Sequence, residues 1–346
     1  SPQAAVGRGL ATAALVTHAE RGGHGYAAPV QSGASVTSLR RLRRFVPRGV
    51  KRLVRPVAQR VGLAAVPLWW QADRGRRIGR LGGAGRGAGR GAGRSAGRGA
   101  AVCNICGWSG AAFLGGAHVE SATCPQCGSV ARYRFLLWCA ATRGGLRKQP
   151  RVLETSPRMG DEYRELMRRH FQYRASDFDL GAHRADIQID LQQIALPDAS
   201  LDVVLTPHVL EHVPDTVSAL SELHRVLAPG GRVYLQVPLL RGVTAAPSTP
   251  EFHADNTPVF WNFGWDLTAM LRAAGFTTTA LVTAEFARVL RSEAPLPAPD
   301  GDIFDVADMV RHARPGDLTV VATDRQAAAM GWLPAHQFVT WECVRR

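Results

Sequence analysis

The chain has 346 residues, with 42 Lys+Arg against 28 Asp+Glu for a formal net charge of +14, and 46% hydrophobic content. Such a length can bury the core of one large domain or two ordinary ones, and the composition excludes wholesale disorder. No run of about 18 apolar residues occurs, so no membrane-spanning helix is expected; the longest apolar-looking stretch, 61–70, is interrupted by Pro67. Six cysteines are too few for a disulfide-dense secreted scaffold, and a cytoplasmic location is expected.

The charge is unevenly spread. Residues 1–100 hold 19 Arg and Lys against two acids, Glu20 and Asp73, for a net of +17, whereas residues 101–346 carry −3. Residues 1–39 are rich in Ala, Gly, Ser and Val without an amphipathic period, and too little apolar surface is present to offset chain entropy. Over 40–62, Leu, Val and Phe recur among arginines and are interrupted by Pro47 and Pro56, a pattern that suits a membrane surface or a partner. Residues 78–100 repeat Gly-Ala-Gly-Arg around Arg86, Arg90, Arg94 and Arg98, a flexible polycation. Residues 1–100 therefore read as a basic low-complexity extension, largely disordered. A solvated linker is the plain expectation, with membrane-surface contact through 40–62 or nucleic-acid contact as alternatives. The Arg- and Ala-rich, acid-poor start also resembles an organellar transit peptide.

Next come Cys103-Asn-Ile-Cys106-Gly107 and Cys124-Pro-Gln-Cys127-Gly128, with 17 residues between Cys106 and Cys124. That is the spacing of paired zinc knuckles. Two residues between cysteines, followed by a glycine that tolerates tight backbone geometry, let both thiolates face one ion. Four thiolates around Zn2+ leave no open position, so a closed structural site is expected, supplying folding energy that a short segment lacks. The expected zinc ribbon spans 101–135; two disulfides or four free thiols are the alternatives. Cys139 and Cys343 lack such pairing and are expected to be buried as apolar residues. A helix is expected through Arg132-Tyr-Arg-Phe-Leu-Leu-Trp138, with Arg132 and Arg134 solvated or paired with acids and phosphate contact as the alternative.

From residue 150 short apolar strands alternate with helical stretches, the signature of a parallel α/β sheet. Strands are expected at 151–155, 173–176, 187–190, 202–206 and 232–237, and helices at 161–170, 215–227 and 265–274. Pro229-Gly230-Gly231 ends one helix and reopens the chain as a strand. Ligands on such a sheet bind beyond the carboxyl ends of the strands, where Glu154, Asp177, Asp190 and His208 fall.

The stretch Leu201-Asp-Val-Val-Leu-Thr-Pro-His-Val-Leu-Glu-His-Val213, followed by Leu220-Ser-Glu-Leu-His-Arg-Val-Leu-Ala-Pro-Gly-Gly-Arg-Val-Tyr-Leu-Gln-Val-Pro238, resembles class I S-adenosylmethionine-dependent methyltransferases. Ile194 to Asp202 upstream and Leu271-Arg-Ala-Ala-Gly-Phe276 downstream extend the resemblance over about 151–285. It implies a Rossmann-like α/β domain, assigned here to 136–346. The first loop departs from the family's glycine-rich pattern: Val152-Leu-Glu-Thr-Ser-Pro-Arg-Met-Gly160 has one glycine, with Ser156 where glycine is usual.

By position, the resemblance puts Glu154, Ser156 and Gly160 at the methionine side of S-adenosyl-L-methionine and Asp177 at the ribose, with Asp179 as its competitor. Asp190 and Leu191 would meet the adenine; Thr206, Pro207 and His208 would floor the sulfonium. Asp202 and Glu211 are expected to be structural. A hydroxyl acceptor gains from a positioned base, for which His208, His212 and His253 are the candidates, His212 being equally a structural residue. Phe260-Trp-Asn-Phe-Gly-Trp265 is either a wall for an apolar acceptor, hinged at Gly264, or a plug on the sheet edge.

Three functions fit. The first is O-methylation of a small-molecule hydroxyl or carboxylate. The second is RNA base methylation, since a zinc ribbon ahead of this fold is similar to rRNA guanine methyltransferases. The third is a noncatalytic zinc-ribbon scaffold. A domain gripping RNA should itself be basic, and 101–346 is not, which favours the small-molecule acceptor.

Overall fold

The computed structural model describes residues 101–116, 121–146, 149–181, 184–239, 241–253, 256–295, 306–332 and 339–346. The expectations for residues 1–100 lie outside the described residues.

Strand formation follows burial. β3 (Arg151–Thr155) and β6 (Leu201–Pro207) are almost wholly buried, as strands covered on both faces must be. They pair in parallel, Leu153 opposite Val204. β4 (Gln172–Asp177) and β5 (Ile187–Gln188) extend the sheet from β3, and β7 (Leu227–Gln236) extends it from β6, all in parallel. Beyond β7 comes the reversed strand β12 (Thr340–Arg345), antiparallel both to β7 and to β10 (Phe276–Thr283); β11 (Leu318–Ala322) closes the far edge, parallel to β10. The eight-stranded order is β11-β10-β12-β7-β6-β3-β4-β5. Small antiparallel pairs, β1 (Ala101–Val102) with β2 (Ser109–Gly110) and β8 (Glu251–Phe252) with β9 (Pro258–Val259), stand apart from it.

Helices cover both faces. On one lie α1 (Ala131–Thr142) and α2 (Asp161–His170), with Phe135, Leu136, Tyr163 and Met167 packed on Val152, Leu205 and Tyr234. On the other lies α3 (Thr216–Val226), whose Leu220, Leu223 and Val226 meet Leu153, Val204 and Leu235 at helical spacing. Local chemistry sets the ends. Acids Asp161 and Glu162 open α2, and Arg168, Arg169 and His170 close it, matching the helix dipole. The Asp215 carboxylate caps α3 by accepting the Ser218 amide at 3.0 Å.

The division at 135/136 falls inside α1, and Cys103, Ile105 and Cys124 share one apolar cluster with Tyr163 and Met167, so the cysteine segment packs into the main body. Contrary to expectation, Arg132 and Arg134 are not solvated: they are 3% and 0% exposed on a helix buried on nearly every side. Cys139 and Cys343 are buried.

Candidate functional site

The chain leaves β3 toward β4 and β5 on one side and returns through β6 toward β7 on the other. Crossovers therefore diverge above β3 and β6 and open a crevice at their carboxyl ends. Both strands run out into a non-glycine residue with left-handed backbone, Ser156 at φ 46° and His208 at φ 52°. Such conformations cost about 1–2 kcal/mol and persist where the surroundings impose them. The surroundings are visible: the Ser156 amide donates to the Ser176 carbonyl at 2.7 Å, and the His208 amide to the Gln236 carbonyl at 2.8 Å.

Ser156 gives its hydroxyl to the Asp177 carboxylate at 2.8 Å. The other Asp177 oxygen accepts the Asp179 amide at 3.1 Å. Asp179 is exposed and spends a carboxylate oxygen on the Gly181 amide at 2.8 Å, within its own turn. Thus Asp177, not Asp179, stands against the first loop. Beyond β5, Asp190 accepts the Gln192 amide at 2.8 Å, with Leu191 buried behind it. Gly160 precedes α2, and a Cβ there would meet no atom within 4 Å. The Thr155 and Thr206 hydroxyls, ending β3 and β6, are buried with no hydrogen-bond partner among the described residues. Buried hydroxyls are normally satisfied. The two orphaned hydroxyls fit a polar ligand at the ends of β3 and β6.

Glu154 is placed otherwise. It is fully buried on the α2 side of the sheet, where it accepts the Tyr173 hydroxyl at 2.7 Å and the Tyr163 hydroxyl at 2.9 Å. Burial lifts its pKa to about 7 against the pull of both phenols. Asp202 is structural as expected, holding the Arg151 amide and guanidinium at 2.7–3.0 Å, an arrangement that lowers its pKa.

Across the crevice, the largely buried His208 ring has its pKa held well below the ordinary value by burial, then by Arg132, His253, Arg158 and His212. It is neutral at pH 7. The buried Glu211 carboxylate lies 4.0 Å from His208 Nδ1 and 3.9 Å from His212 Nε2. His212 Nδ1 sits 2.6 Å from the Pro258 carbonyl oxygen, and the His253 ring meets the His212 ring edge-on at 4.6 Å. His208 and His253 thus flank one cluster centred on Glu211 and His212. The aromatic stretch divides: Phe263 and Trp265 are core, whereas Phe260 is exposed and Trp261 half-buried. Gly264 is no hinge. A Cβ there would lie 2.4 Å from the Val243 amide nitrogen, so the glycine permits close chain approach.

Before α1, the four cysteine sulfurs lie within 4.8 Å of one another, with Cys103–Cys127 at 3.7 Å and Cys106–Cys124 at 3.6 Å. A tetrahedral zinc with bonds of about 2.3 Å needs edges of about 3.8 Å. Both knuckles share one geometry: Gly107 and Gly128 have φ of 79° and 72° and donate their amides to Cys103 and Cys124, each at 2.9 Å. The donor set fits a closed tetrathiolate site.

Residues 143–235, which carry β3 through β7 and the crevice, match the methyltransferase domain family. This stretch of the chain is similar to methyltransferase domains. A probable S-adenosylmethionine-dependent methyltransferase of Mycolicibacterium smegmatis is 36% identical over 96 residues, 27% of this chain and 35% of that protein. One from Mycobacterium tuberculosis is 32% identical over 104 residues, 28% of this chain and 34% of that one. The chain therefore spans about a third of the length of these relatives. Among solved structures, an S-adenosylmethionine-dependent methyltransferase from Archaeoglobus fulgidus is 14% identical, covers 63% of this chain and 95% of its own, and has a TM-score of 0.38.

Sequence reasoning missed two features of this region. One is the carboxylate of Glu211 between two imidazoles, for which the adjacent Glu-His pair was a visible signal. The other is how the glycine-poor loop is held. The Tyr133 hydroxyl accepts the Arg158 amide at 3.0 Å and faces the Ser156 carbonyl at 3.5 Å, and Arg164 donates to the Pro157 carbonyl at 3.0 Å. Side chains grip three successive residues, and no local pattern announced it.

Proposed function

We propose that the chain is an S-adenosylmethionine-dependent methyltransferase of the cytoplasm, acting on an oxygen of a small-molecule hydroxyl or carboxylate and carrying a structural zinc at its four cysteines. The observation that supports this reading is the Ser156–Asp177 hydrogen bond at the carboxyl ends of β3 and β4, with the left-handed His208 at the carboxyl end of β6. There Asp177 would accept from the ribose hydroxyls, Asp190 and the Leu191 backbone would face the adenine, and Ser156 and Gly160 would flank the methionine moiety. Thr206 and Pro207 would form the floor. Bound there, the cofactor supplies a methyl group already activated by its sulfonium. The protein's work is then alignment and exclusion of water. His208, held neutral, keeps a lone pair to take the proton of a hydroxyl acceptor, while a carboxylate acceptor needs no base.

The net −3 of residues 101–346 supports a small acceptor over RNA. No helix among the described residues is long and apolar enough to cross a membrane. The test is a methyl-labelling screen of acids, phenols, sugars and RNA. Label entering a small hydroxyl or carboxylate compound supports the reading. Label confined to RNA would replace it with base methylation, and failure to bind S-adenosylhomocysteine would leave a scaffold.

A further inference from the structure

Two successive residues at the start of α1 reach different parts of the structure. Arg134 points toward the cysteine segment. Its guanidinium donates to the Ser129 carbonyl at 2.6 Å, the Ala122 carbonyl at 2.6 Å and the Met330 carbonyl at 3.0 Å, and lies 3.8 Å from the Phe113 ring centroid. The Arg134 carbonyl in turn accepts the Asn104 amide at 2.9 Å. Ala122, Ser129 and Asn104 each stand within two positions of a metal-binding cysteine, so folding of the two knuckles fixes where these groups lie. Every hydrogen-bond acceptor around this wholly buried cation is neutral. Burial lowers its pKa and the cysteine cluster opposes that shift. Four thiolates around a divalent cation carry a net charge of −2, which compensates a buried guanidinium where neutral carbonyls cannot.

Tyr133 reaches the loop between β3 and α2, where its hydroxyl meets Arg158 and Ser156. The phenol is 1% exposed and its ring is packed edge-on against Tyr163 at 6.2 Å, so it moves only with its helix. Where the family uses glycines, this loop depends on that grip. We propose that Tyr133 and Arg134 are positioning residues that make the geometry of the cofactor loop conditional on metal in the four-cysteine site. The proposal rests on the reading of the crevice as the S-adenosylmethionine site.

Full-length protein is compared metal-loaded and chelator-stripped, alongside Tyr133→Phe and Arg134→Lys, which retain ring and charge. Amide hydrogen exchange over 156–160 and calorimetric binding of S-adenosylhomocysteine are the readouts, with bound zinc measured in parallel. Tyr133→Phe should keep its zinc, exchange faster at Arg158 and bind S-adenosylhomocysteine roughly three- to tenfold more weakly, the cost of one ordinary hydrogen bond. Arg134→Lys should loosen the same amides with zinc still bound, and stripping should exceed both. Wild-type exchange in Tyr133→Phe, or in the stripped protein, overturns the proposal. If wild type binds no S-adenosylhomocysteine while exchange still follows metal and Tyr133, the functional reading fails and the linkage stands. If binding is normal and exchange ignores both, the linkage alone fails.

Discussion

Glu154 offers the most quantitative test of the packing around β3. The folded chain holds its carboxyl proton up to about pH 7, whereas the unfolded chain releases it near 4.5. Between those values the folded state binds more protons, so this group's stabilising contribution is present in full below pH 4.5 and is lost as pH rises through 7. At about 1.4 kcal/mol per pH unit, the full loss is on the order of 3 kcal/mol, most of it between pH 5 and pH 8. Glu154→Gln preserves the shape and one phenol acceptor but cannot ionise. Urea unfolding of both proteins at pH 5, 6, 7 and 8 gives the wild-type-minus-variant difference, in which all other titrating groups cancel. That difference should move against wild type by roughly 2 kcal/mol or more from pH 5 to pH 8. Parallel pH curves would refute a raised pKa; movement in favour of wild type would show that the two phenols outweigh burial.

Other outcomes follow from the crevice and the cysteines. Asp177→Ala should weaken S-adenosylhomocysteine binding by roughly 1.5–3 kcal/mol, the worth of a charged hydrogen-bond acceptor, with calorimetry as the check. Ser156→Gly relieves a left-handed serine but frees Asp177, so affinity should fall while the thermal midpoint does not; loss of both would make the hydroxyl a fold element. Because His208 is neutral throughout, kcat should show no inflection from it between pH 6.5 and 8. An inflection near 6.5 that vanishes in His208→Asn would contradict its burial. Metal analysis should find about one zinc per chain, lost when Cys103 and Cys106 are replaced by serine.

What could be read in the sequence was local. β3 occupies its expected residues, as does α2, because apolar period and terminal charges act over a few positions. The knuckles were legible for the same reason, since Cys-x-x-Cys-Gly encodes its own turn. β5 ended early because Asp190 turns onto Gln192, and β7 began early because Ala228 to Gly231 loop out between Leu227 and Arg232, which both pair with β6. Beyond residue 286 lie β11 and short helices such as Asp324–Met330, too brief for a period to declare itself. Arg132 and Arg134 were misread on the rule that charge faces water; the carbonyls that satisfy Arg134 come from residues as distant as Met330, and only the tertiary fold supplies them. Gly264 was misread similarly, its true neighbour being Val243.

The placement of β12 has a consequence for failure. Cys343 pairs with Val233 on one side and with Thr278 on the other, so one short strand joins two parts of the sheet that touch nowhere else in the ladder. Were it to detach, β7 and β10 would each present a row of unpaired amides and carbonyls, ready to recruit another chain. Damage to those six residues would therefore surface first as self-association, with the crevice at β3 and β6 still intact.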